Sequence, residues 1–149
     1  MKKLPIILIV VIGVVILSFV TLIPKQNMEQ AEIINVFDLN YCPNQNTIVG
    51  EMWFLREKLK TIPIMATINY EINNQDELVE EGRIKITPED FRTWNLGGTE
   101  VYVYDFEFSV QSNVTGKYLI FTVMQEGGEN LVYEDTINHL TSLDNCKWR

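Results

Sequence analysis

Carboxylates dominate the reactive side chains of this chain, with 20 Asp and Glu against a single histidine, His139. Asp105 and Glu107 stand two apart in an alternating run. They share a strand face, and facing carboxylates are what general acid–base or glycosidic chemistry employs. That face is the polar one, however, where solvation is the ordinary use of an acid. Asp76, Glu77, Glu80 and Glu81 form an acidic run of the kind a calcium ion attracts, but their spacing departs from the Asp-x-Asp-x-Asp-Gly order that wraps oxygens around the cation. A hydrolase triad needs a base beside a serine nucleophile. With His139 alone and no Gly-x-Ser-x-Gly turn, none assembles. The residues imply no catalytic group, no metal and no cofactor, so an enzyme is not expected.

Other residue types point to structure and recognition. Cys42 and Cys146 are the two cysteines. Redox pairs come as Cys-x-x-Cys and metal cages need more ligands at close spacing, so a structural disulfide is expected. It would close a loop of about 105 residues, worth about 4–5 kcal/mol in the chain-entropy account, and would pin the tail to the end of the first strand. Trp53, Trp94 and Trp148, with Tyr102, Tyr104 and Tyr133, supply large amphipathic surfaces suited to a sugar or a protein. Trp53, Tyr102 and Tyr104 are expected in the core. Trp94, beside a helical turn and ahead of Asn95-Leu96-Gly97-Gly98, and Trp148, in the tail, are the expected contacts for a partner or ligand. Asn113-Val114-Thr115 fits the N-glycosylation sequon on a loop.

The element that must place these residues is at the start. Lys2 and Lys3 precede an unbroken apolar run over 4–23, closed by Pro24 and Lys25. At about 1.5 Å per residue such a run spans the roughly 30 Å hydrocarbon core. It exceeds the apolar region of a cleaved signal and no Ala-x-Ala-like site follows, so residues 1–25 read as a retained signal-anchor; secretion after cleavage is the alternative. The basic pair ahead of the run keeps the N-terminus in the cytoplasm and sends the remainder outside. Residues 26–31 read as a short stalk and 32–149 as one extracytoplasmic domain. After residue 25, nine Lys and Arg oppose 20 acids, a formal charge of −11. With its basic residues interleaved among acids, such a domain is not expected to bind nucleic acid.

Within the domain the hydrophobic period is two. Ile62, Ile64, Ala66, Ile68 and Tyr70 alternate with polar or smaller neighbours, and Tyr102, Tyr104, Phe106, Phe108 and Val110 oppose Val101, Val103, Asp105, Glu107 and Ser109. Further strands are expected over 32–41, 47–56, 82–87, 117–125 and 131–136, about seven in all. Turns are read at 73–76, Gly97-Gly98, 112–116 and Gly127-Gly128, and Thr87-Pro88-Glu89-Asp90 predicts a short helical turn. The expected fold is an all-β antiparallel two-sheet sandwich behind one transmembrane helix.

Gly116-Lys117-Tyr118, opening the run 119–123, resembles the Gly-x-Tyr entry to the sixth strand of immunoglobulin-like and fibronectin-type domains. The resemblance implies sandwich architecture, and no antibody-type Cys–Trp–Cys spacing accompanies it. That fold hosts many unrelated functions. The expected function is therefore a membrane-anchored extracytoplasmic binding module, docking on a partner protein as an accessory or assembly factor. A ligand-binding or adhesion domain for glycan or peptide is the alternative.

Overall fold

The structure is a computed structural model that describes residues 29–139. The apolar run 4–23, Cys146 and Trp148 lie outside the described residues. Among the described residues no helix is long and apolar enough to cross a membrane.

The chain folds as β1 (Ile33–Cys42), β2 (Thr47–Arg56), β3 (Lys60–Thr61), β4 (Ala66–Asn74), β5 (Glu77–Ile86), β6 (Arg92–Leu96), β7 (Thr99–Ser109), β8 (Tyr118–Gln125), β9 (Leu131–Thr136) and β10 (Asn138–His139). One sheet runs β10-β1-β2-β7-β6 with β3 on the margin of β2, and the other runs β5-β4-β8-β9. Every pairing is antiparallel except that of β1 with β10. The orders β1-β2-β7-β6 and β4-β8-β9 follow those of the A-B-E-D and C-F-G strands of an immunoglobulin constant-type sandwich, so the topology is compatible with that fold.

The expected seven strands are present, and β3, β6 and β10 are additional. Two of the additions are only two residues long and carry no periodic signal. β6 escaped because Arg-Thr-Trp-Asn-Leu buries no residue fully; its strand character comes from pairing with β7 across the Gly97-Gly98 turn. Both glycines have positive φ (+60° and +90°), the twist a two-residue hairpin needs. The alternating face begun at Ile62 is buried as expected, yet the β4 ladder opens only at Ala66. Pro63 lacks the N–H a ladder requires. The acidic run of Asp76, Glu77, Glu80 and Glu81 lies largely in β5, from Glu77. At the predicted helical turn, Pro88–Asp90 form one 3₁₀ turn closed by a capping box between Thr87 and Asp90.

The core lies between the sheets. Ile48, Met52 and Phe54 from β2 meet Ile68 and Ile72 from β4 and Leu119, Phe121 and Val123 from β8, all fully buried. Rings join the layers: Phe106 lies edge-on to Phe121 with centroids 5.2 Å apart, and Phe108 stacks on Tyr70 at 4.1 Å. Tyr118 faces outward at 44 % exposure while Leu119, Phe121 and Val123 turn inward. The Gly116-Lys117-Tyr118 resemblance is thus one of architecture, without the inward tyrosine of a tyrosine corner.

The chain enters this sandwich through a side-chain clamp. The Gln125 amide accepts from the Ala31 N–H at 2.7 Å and donates to the Ala31 carbonyl at 2.9 Å, both bonds buried. Ala31, at the end of the expected stalk, is therefore already packed, at 6 % exposure.

Candidate functional site

Successive strand residues point to opposite faces. Because Ile48, Met52 and Phe54 enter the core, β2 must turn Val49, Glu51, Trp53 and Leu55 to the outer side of its sheet. Register aligns other outward residues with them: Asn35 faces Trp53 and Phe37 faces Glu51 from β1, while Asp105 faces Glu51 from β7. On the far strand Arg92 faces Val103, Trp94 faces Val101 and Leu96 faces Thr99. An outer face of an exposed sheet is ordinarily polar. Here Val103 is fully buried and Leu55 and Val101 are 4 % and 7 % exposed.

A charged cluster holds the centre of this face. The Arg92 Nη2 donates to Glu51 at 2.6 Å and to Asp105 at 3.0 Å, and its Nε donates to the second Asp105 oxygen. The Trp53 indole N–H donates to the remaining Glu51 oxygen at 3.5 Å. Glu51 is 8 % exposed, so it tolerates burial only because both oxygens have partners. The Arg92 pKa is raised, first by its hydrogen bond to Asp105 and against the opposing cost of desolvation. One cation between two carboxylates leaves the cluster net negative. The guanidinium also lies 4.3 Å from the Trp94 ring centroid, a cation–π contact that orients the indole.

Beside the cluster runs an aromatic and aliphatic groove. Phe37 and Trp53 pack at 5.0 Å between centroids and form one wall, and Leu55, Leu59, Leu96 and Val101 continue it around about 310 Å³. Phe37, Trp94 and Leu96 remain 44, 49 and 63 % exposed. The arrangement can seat an apolar side chain next to an oriented charge. A wider hollow of about 720 Å³ on the other sheet is edged by Glu71, Asp76 and Glu134 together with amide, aromatic and aliphatic side chains.

The predicted site residues divide. Trp94 is on this face, with about half of its surface exposed. Trp148 and Cys146 lie outside the described residues, and Cys42 is buried at 1 % at the end of β1. Asn113 is on an exposed loop, its side-chain oxygen accepting from the Thr115 N–H at 2.9 Å. Trp53, expected in the core, instead faces outward against Phe37. Tyr102 is half-exposed, its hydroxyl donating to Glu100 at 2.9 Å, whereas Tyr104 packs against the core. Asp105 is tied to Arg92 and does not pair with Glu107, which is exposed. Glu80 accepts from the Gln111 N–H at 3.0 Å, and among the described residues no three His, Cys, Asp or Glu converge as a metal would require.

Sequence reasoning missed Phe37, Glu51, Arg92 and Leu96. One signal was available: residues 47–55 are apolar at nearly every position on both faces, which marks a strand covered on both sides. Compared with known proteins, the chain matches no family model, no curated protein and no solved structure.

Proposed function

We propose that this protein is a membrane-anchored, immunoglobulin-like module that docks on a partner protein through the outer face of β1, β2, β7 and β6, acting as an accessory or assembly factor without catalysis. The observation that carries the reading is the aromatic set of exposed Phe37 and Trp94 and half-buried Trp53 around the Arg92–Glu51–Asp105 cluster. Aromatic anchors beside an oriented arginine are the composition of interface centres. Both cluster carboxylates are engaged by Arg92, which favours recognition over acid–base work. The anchor is the run 4–23, with the N-terminus cytoplasmic and the domain outside. A Cys42–Cys146 bridge suits that oxidising side. Given the charge of −11 after residue 25, the partner surface is basic.

The test is cross-linked purification of the full chain in detergent. Trp94→Ala and Phe37→Ala should each abolish a stoichiometric partner band that Leu78→Ala, at the opposite end of the sandwich, retains. Equal yield from all three sinks the proposal. A second reading draws on the 49 % exposure of Trp94 on an edge strand: a glycan or peptide ligand. Saturable binding of such a ligand by the full chain, lost in Trp94→Ala without any protein partner, would favour it.

A further inference from the structure

Leu59 is 71 % exposed and has a φ of +60°. A leucine adopts that left-handed conformation only against its own Cβ sterics. Leu96, on the arm of the Gly97-Gly98 turn, is 63 % exposed, and Ile33 and Met65 are 46 and 42 % exposed. All four gather at one end of the sandwich. Ile33 pairs with Leu55, β2 ends one residue later at Arg56 and leads into a 3₁₀ turn, Glu57–Leu59, and Leu59, Leu96 and Thr99 border one groove. Met65 directly precedes Ala66, the first residue of β4.

The chain enters the sandwich at this same end. Glu29 pairs with Arg56 at 3.6 Å, and Gln125 clamps Ala31. Five residues, 24–28, separate the apolar run from Glu29. Even fully extended they reach at most about 20 Å, at about 3.3–3.6 Å per residue. An anchor in the run 4–23 therefore holds this end within about 20 Å of the bilayer.

We propose that this aliphatic end rests on the bilayer surface, with Leu59 and Leu96 entering the boundary between headgroups and acyl chains of zwitterionic lipid. The inference relies on the anchor reading above. Its driving force is apolar burial, because Glu29, Glu32, Glu57 and Glu100 outnumber Arg56, Lys58 and Lys60 in the segments that form this end, and the net charge of the domain opposes an anionic surface. The aromatic patch of Phe37, Trp53 and Trp94 lies one step farther from this end. It stays open to a partner standing beside it in the same membrane.

The test uses the full chain in phosphatidylcholine vesicles, with phosphatidylcholine brominated high on one acyl chain as the quencher. The indole added by Leu59→Trp or Leu96→Trp should lose its emission on the brominated vesicles. That added by Leu78→Trp, on the hairpin at the opposite end, should keep it. Mixing in phosphatidylglycerol should weaken the quenching, and a strengthening overturns the apolar account. Vesicle flotation with no quenching at either leucine overturns the docking while leaving the anchor intact. Failure of the chain to float with the vesicles overturns the anchor reading and the docking together.

Discussion

At the residue scale, two polar side chains carry consequences out of proportion to their size. Gln125 is 9 % exposed and satisfies both backbone groups of Ala31, along with the Glu129 carbonyl at 3.2 Å. Gln125→Ala leaves a buried N–H and C=O unpaired, so it should cost about 1–3 kcal/mol, read as a lower urea midpoint at unchanged slope. Arg92 serves two carboxylates on two strands through a planar fork. Arg92→Ala strands Glu51 in a nearly closed site and should cost about 1–3 kcal/mol. Arg92→Lys keeps the charge but cannot fork, so it should recover only part of that stability in the same urea titration. A surface ion pair such as Arg56 with Glu29, both about half exposed, should be nearly silent.

Strands impose their own demands, and two glycines show how. A Cβ at Gly50 in β2 would lie 2.4 Å from the Phe106 ring of β7, and one at Gly82 in β5 would lie 2.3 Å from the Tyr70 ring of β4. Each glycine gives up its side chain so that the cross-strand aromatic can fold over it. The two sites differ in what can yield. Phe106 is 1 % exposed and wedged against Phe121, whereas Tyr70 is half-exposed on Phe108 and can swing outward. Gly50→Ala should therefore cost about 1–3 kcal/mol by overpacking, and Gly82→Ala distinctly less, as thermal unfolding of the two variants will show. The sheet margins are also managed: β5 presents Glu77, Glu81 and Lys85, and β9 presents Glu134 and Asp135, charges that discourage pairing with another chain.

For the whole molecule, stability should fall in alkali. Burial first, then the hydrogen bond to Asp135, pushes Tyr133 up to about 12. Burial likewise raises Tyr104 and Tyr70 above the ordinary tyrosine range. Each folded pKa lies above its unfolded value, so above about pH 10 the native state keeps protons that the unfolded chain has released, and at Tyr133 it keeps one up to about pH 12. The stability is fully present below about pH 10 and is lost as pH rises through 12. The tyrosinate absorbance of the folded protein should develop late, and Tyr133→Phe should remove the latest part. What the sequence determined by itself is the sandwich: a period of two, glycine turns and the Thr87 cap are local signals, each readable within a few residues. The exposure of Trp94 was also legible, because a tryptophan beside a turn has few places to be buried. The ion cluster was not, since Glu51, Arg92 and Asp105 lie up to 54 positions apart and meet only through register. Nor was β6, whose partner strand defines it, or the outward turn of Trp53, which parity along β2 decides once Phe54 takes the core. Only the tertiary structure chose which of two apolar faces would be buried between the sheets and which would be left on the outer side of its sheet.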